Sequence, residues 1–120
     1  VTYGMMVQKS LESAKILKEK IGAEIEIIDL RTLNPLDYDT IEASLSKTNK
    51  VMIVYEDNLT NGPGAEISAI ISDKYFELLD GPVKRAASKD CPVPFSSVLE
   101  DEVLLQTDEI VSIGLKLLEY

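Results

Sequence analysis

The chain has 120 residues, enough for one domain with a single core, and its 45% hydrophobic content is ordinary for a globular protein. Twenty-one acids against twelve bases give a formal charge of -9, which argues against nucleic acid and anionic membranes as partners, because both need a basic face. One cysteine and no histidine rule out an internal disulfide and a structural zinc site, and they remove the commonest general base. The acidic surface suits either solubility alone or a basic protein partner. No apolar run approaches membrane-spanning length and no signal peptide is visible, so a cytoplasmic or matrix-like compartment is expected.

Val1-Thr2-Tyr3 reads as the end of a strand whose start is missing, which suggests a piece of a longer polypeptide. Gly4 closes it, and Met5 to Lys20 reads as a helix. Val7, Leu11, Ala14, Leu17 and Ile21 form the expected buried stripe, with Gly22 as its C-cap. Ala23 to Leu30 is a second strand, alternating at first and then continuously apolar. After Pro35, Asp37 is placed to cap a helix whose inner face is Tyr38, Ile41 and Leu45, ending near Lys47.

The central unit follows. Val51 to Tyr55 has the unbroken apolar character of a strand buried on both faces, and Glu56 and Asp57 close it. A loop from Asn58 to Gly64 carries two glycines and a proline. Beyond it, Ile67, Ile70, Ile71, Tyr75 and Leu78 mark one face of a helix. Asp80-Gly81-Pro82 is a turn before a short strand, Val83 to Ala87. Ser88 to Leu105 shows no helical period and is expected to be extended, and Thr107 is expected to cap a last helix in which Ile110, Ile113 and Leu117, with Val111 and Leu118, pack inward. Strands alternating with helices predict an α/β fold, a three-layer α/β/α sandwich. Its mainly parallel sheet should have about five strands, with room for one antiparallel edge strand.

Few residues offer chemistry. Gly62-Pro63-Gly64 is similar to a dinucleotide fingerprint, but Ile67 stands where the third glycine belongs and Pro63 lacks a donor. Glu66, in the first helical turn, would repel a phosphate, so a tight turn allowing close strand–helix packing is the better reading. Glu56 and Asp57 lie where open α/β sheets place ligands, yet no base, metal-ligand set or nucleophile accompanies them. Cys91 sits beside Asp90, which raises a thiol pKa, and is expected to be inert. Neither a catalytic residue nor a cofactor- or metal-binding residue is assigned. A stand-alone ligand-binding or regulatory module using the Glu56–Gly64 loop stays open.

Several segments together carry a family likeness: TYGMMV near the start, DLRTLNPLD at Asp29–Asp37, TIEASLSKTNK, YEDNLTNGPGAEI, GPVKRAASKDCPVPF, and LED at Leu99–Asp101. In this order they resemble the C-terminal, transketolase-like domain of the β subunit of thiamine-diphosphate-dependent 2-oxo acid dehydrogenases, the pyruvate and branched-chain enzymes among them. Deoxyxylulose-phosphate synthase and transketolase share part of the pattern, and Pro92–Phe95 followed by LED favours the dehydrogenases. Tyr55 replaces a histidine common in the family, and Pro63 replaces the second glycine of a GG pair.

The resemblance implies one domain over residues 1–120 that assembles subunits and is inactive alone. The parent enzyme would decarboxylate a 2-oxo acid and pass the acyl group to lipoamide, using thiamine diphosphate and magnesium held by other domains. Glu56, Gly62, Gly64 and Glu66 would then be structural or interface residues. Glu77, Asp80 and Tyr120 would receive the basic subunit-binding domain of the acyltransferase. The implied partners are the α subunit and thiamine-binding domains, that acyltransferase, and a second copy of this domain in a homodimer, in a bacterial cytoplasm or mitochondrial matrix.

Overall fold

A computed structural model describes all residues, 1–120. The elements in chain order are α1 (Met6–Ile21), α2 (Tyr38–Thr48), β1 (Met52–Asn58), α3 (Pro63–Lys74), β2 (Lys84–Ser88), α4 (Ser97–Val103) and α5 (Thr107–Leu118), with a single 3₁₀ turn at Phe76–Leu78. β1 and β2 pair in parallel, Met52 opposite Lys84 and Val54 opposite Ala86. Thr2 bridges in parallel to both Val54 and Asp29, so the spatial order is the Asp29 segment, the Thr2 segment, β1 and β2.

Alternation along β1 explains its unbroken apolar run. Ile53 and Tyr55 point to one face, where they pack with Ile41 and Leu45 of α2 and Ile67 and Ile71 of α3. Val54 points to the other, against Met6 of α1, Ala86 of β2 and Ile110 of α5. Helices thus cover both faces.

Two ladder strands replace the five expected, and no antiparallel pair is present. Ala23–Leu30 pairs only near its end, through Thr2 N–H to Ile28 O and Leu30 N–H to Thr2 O, which makes an isolated bridge rather than a ladder. The amino group of Val1 donates to Met52 O at 2.9 Å, and its enclosure pushes the ammonium pKa down from 8.0 to about 5.

α1 is turned relative to the expected stripe. Its buried residues are Met6, Ser10, Ser13 and Leu17, while Leu11 and Ile21 are about half exposed. Small residues decide this, because α5 approaches α1 closely. A methyl group on Gly114 would come within 3.0 Å of Leu17 Cδ1, and Ser13 Oγ, buried there, donates to Lys9 O and Thr107 O. The helix over Ser97–Val103 was not expected. Its seven residues are too few for an apolar period, and none is buried.

Caps are partly as expected. Gly22 ends α1 with φ 71°. Asp37 accepts from Thr40 N–H at 3.0 Å and Thr40 Oγ1–H at 2.7 Å, bonds that hold its carboxyl below the usual range. An Asp37→Ala chain should unfold at lower urea concentration, with α2 fraying first in amide exchange. For α5 the cap is Gln106, not Thr107. Gln106 and Glu109 form a reciprocal capping box, and Thr107 Oγ1 instead donates to Glu12 Oε2.

Candidate functional site

The carboxyl end of β1 leads into a short loop, and α3 begins at Pro63, two residues before the expected start. Proline costs nothing at this first helical position, where its N–H would have no partner. The loop folds over Tyr55, which is fully buried. Gly62 and Gly64 lie against its ring. A methyl group at Gly64 would stand 2.5 Å from Cδ1 and 2.6 Å from Cζ, and one at Gly62 would stand 2.7 Å from Cε2 while also striking the Asn58 carbonyl oxygen. Only hydrogen fits at either position.

The hydroxyl of Tyr55 donates to Leu59 O at 3.3 Å. From β2, Arg85 Nη1 donates to the same carbonyl at 2.6 Å and to the Tyr55 oxygen at 3.4 Å. A second tie closes the loop from outside: Asp90 accepts from Thr60 N–H at 2.8 Å and from Thr60 Oγ1–H at 2.6 Å. Those two bonds hold the Asp90 carboxyl below the usual range, with a smaller contribution from Arg85. In a Thr60→Val chain the Asp90 pKa should rise toward 3.8, read by NMR titration of the side-chain carboxyl. An unmoved pKa would mean that the Thr60 hydroxyl is not what holds it.

Glu56 and Asp57 are exposed beside this clamp, and Glu66 is exposed in the first turn of α3. Burial, then the nearby charges of Asp57 and Glu56, push the phenol of Tyr3 upward. The arrangement does not suit a diphosphate. The glycines that would have to open toward phosphate oxygens are filled by the Tyr55 ring, Pro63 contributes no N–H, and Glu66 sets a carboxylate at the helix start. No group of three or more Asp, Glu or Cys side chains converges in the chain. What the geometry does is hold a loop rigid and present acids around it.

The other expected residues lie at the opposite end of the sheet. Glu77 is in the 3₁₀ turn, next to Phe76, whose side chain is exposed. Asp80 N–H donates to Asn49 O at 2.7 Å, and Asn49 Nδ2 donates to Leu78 O. Gly81 lies against Tyr120, and the ammonium of Lys84 sits 5.6 Å from the Tyr120 ring centre. Asp80 and Tyr120 are therefore brought together, far from Glu56. Arg85, Thr60 and Asp90 were missed in the sequence. The basic pair Lys84-Arg85 inside a short strand was the one available signal, whereas the Thr60–Asp90 contact spans thirty residues and left none.

A parallel α/β sheet covered by helices on both faces, with a glycine-tightened loop at the end of its central strand, defines the class. A family model for the transketolase C-terminal domain matches residues 1–110, and the chain belongs to that family. Over 115 residues it is 47% identical to the β subunit of acetoin:2,6-dichlorophenolindophenol oxidoreductase of Bacillus subtilis (strain 168), covering 96% of this chain and 33% of that one. It is 41% identical over 120 residues to the pyruvate dehydrogenase E1 component β subunit of Cyanidium caldarium, covering all of this chain and 36% of that protein. A solved structure described as a split-gene transketolase, an inactive β4 tetramer, aligns with a TM-score of 0.82 and 25% identity, over 98% of this chain and 38% of that one. The chain thus spans about a third of the length of the relatives it matches. Similar proteins include bacterial and mitochondrial forms, and no helix here is long and apolar enough to cross a membrane.

Proposed function

We infer that this chain is the C-terminal assembly domain of the β subunit of a thiamine-diphosphate-dependent 2-oxo acid dehydrogenase. The observation that carries the reading is near end-to-end identity of 41% with pyruvate dehydrogenase β subunits. Thiamine diphosphate, bound elsewhere in the parent enzyme with magnesium, supplies the decarboxylation and acyl transfer to lipoamide. This domain contributes rigid surfaces: the clamped loop with Glu56 and Glu66 for a second copy or the α subunit, and Glu77, Asp80 and Tyr120 for a basic acyltransferase domain. The parent would work in a bacterial cytoplasm or a mitochondrial matrix. A related reading, favoured by the 47% identity to an acetoin oxidoreductase subunit, keeps the same role in an enzyme that oxidises acetoin.

The test uses the complete β subunit that contains this domain, produced with its α subunit. Dye reduction that requires thiamine diphosphate is expected, and the preference for pyruvate, a branched-chain 2-oxo acid or acetoin separates the readings. A Glu77→Lys/Asp80→Lys variant should keep dye reduction and lose salt-sensitive binding of the acyltransferase. Tight binding of thiamine diphosphate by residues 1–120 alone would overturn the assignment.

A further inference from the structure

The loop that closes over Tyr55 contains the one Asn-Gly step of the chain, Asn61-Gly62. In such a step the backbone nitrogen after the asparagine can attack the side-chain carboxamide, and a residue without a β-carbon leaves that nitrogen unshielded. The chain has four asparagines, and the fold protects the other three. Asn34 precedes Pro35, whose nitrogen carries no proton to give up. Asn49 is held by its side-chain bond to Leu78 O at 3.0 Å, and the larger Lys50 follows it. After Asn58, the Leu59 N–H is engaged with Ser88 O at 3.2 Å.

Asn61 has none of these protections. It is exposed, and the side-chain bonds of its loop go to Tyr55 and Thr60 instead. Gly62 N–H donates no backbone hydrogen bond. The packing leaves no alternative to glycine at 62, because a methyl group there would stand 2.7 Å from Tyr55 Cε2. At position 61 the backbone has φ 60°, a conformation that asparagine tolerates better than most residues. Close packing at one residue and a left-handed turn at the next thus bring together a labile pair. What opposes reaction is the tie on the preceding residue, Thr60, whose N–H and hydroxyl are both held by Asp90, at 2.8 and 2.6 Å. Asn61 must leave its turn conformation before the Gly62 nitrogen reaches Cγ, and those two bonds resist that local opening.

We propose that Asn61 is the site of spontaneous deamidation in this chain and that the Thr60–Asp90 tie sets its rate. The Gly62 nitrogen loses its proton to solvent base and bonds to Asn61 Cγ. The Cγ–Nδ2 bond breaks, and ammonia leaves with a proton taken from water, so that a succinimide ring remains. Water then opens the ring. Addition at Cγ gives aspartate with the ordinary backbone, and addition at the former backbone carbonyl of Asn61 routes the chain through Cγ as isoaspartate. One water is consumed and one ammonia released, and nothing is oxidised or reduced. Either product adds a carboxylate to a loop already flanked by exposed Glu56 and Asp57. The isoaspartyl form also inserts a methylene ahead of Gly62, where the Tyr55 ring leaves no slack. The inference does not depend on which substrate the parent enzyme uses.

The experiment incubates the chain for weeks in mildly alkaline buffer, with and without urea, and reads its tryptic peptides by mass spectrometry. Conversion of amide to acid is expected in the peptide Val51–Lys74, and fragmentation should assign it to Asn61 rather than Asn58. Asn34 and Asn49 should stay intact, and part of the product should accept a methyl group from an isoaspartate-specific methyltransferase added as a reagent. An Asp90→Ala chain, which loses both bonds to Thr60, should convert Asn61 at least about threefold faster while amide exchange at the core residue Ile53 is unchanged. Conversion in urea without conversion of the folded chain would overturn the proposal, as would equal conversion at another asparagine. An unchanged rate in Asp90→Ala, or a rise seen only together with lost protection at Ile53, would overturn the role given to the tie.

Discussion

Gly64→Ala is expected to cost about 3 kcal/mol in urea unfolding, at the upper end of what overpacking a core produces. The new methyl group would lie against a ring that cannot retreat, because the Tyr55 hydroxyl is held by Leu59 and Arg85 and the side chain has no exposed surface. The assignment to Tyr55 is separately testable. Tyr55→Ala alone should cost about 3–5 kcal/mol, comparable to removing another large core aromatic. In that background Gly64→Ala should be nearly free, since the atom it strikes is gone. A double-mutant cycle measures the coupling, and additivity of the two costs would mean that glycine is needed at 64 for its backbone rather than for the ring. Gly62→Ala should behave differently. Its methyl group meets the Asn58 carbonyl as well, so removing the Tyr55 ring should rescue it only in part.

The second large effect concerns pH. With its amino terminus at Val1, the folded chain holds that amine at a pKa of about 5, against 8.0 when exposed. A lowered pKa means that the unfolded chain binds more protons between those values, so stability rises with pH across that window. Above pH 8 the amine is neutral in both states and costs nothing. Below pH 5 it is charged in both, and folding carries the full cost of enclosing an ammonium, about 4 kcal/mol from the gap between the two values. Because the chain has no histidine, no imidazole contributes over this range. Urea midpoints should climb from pH 5 to pH 8 and level off beyond. Acetylation of Val1 should flatten the curve, and an unchanged slope after acetylation would place the titrating group elsewhere.

What could be read in the sequence follows the density of local signals. The strand–loop–helix unit from Val51 to Ile71 announced itself, because five apolar residues, a glycine-proline loop and a helical period adjoin one another. Asp37 was legible as a cap, since it stands directly ahead of a periodic run. The face of α1 was not. Leu11 and Ile21 looked like core, while Ser10 and Ser13 are buried and Ser13 meets the start of α5, and a hydrophobicity pattern cannot reveal a contact built on small size. The sheet also differs from the expectation. Ala23–Leu30 has strand character, but only Thr2 makes backbone hydrogen bonds to it, a pairing that its own residues do not encode. At the loop, Gly62 and Gly64 could be marked as required for close packing. That the packing partner is Tyr55, pinned by Arg85, needed the folded arrangement.

The stretch between β2 and α4 has a practical consequence. Phe95 stands fully in solvent, flanked by Val93 and Val98, also exposed, and no regular element holds the backbone on its amino-terminal side. A brief chymotrypsin digest should therefore nick the chain first behind Phe95. The two pieces should nevertheless elute together, because α5 in the shorter one remains seated against α1 in the longer.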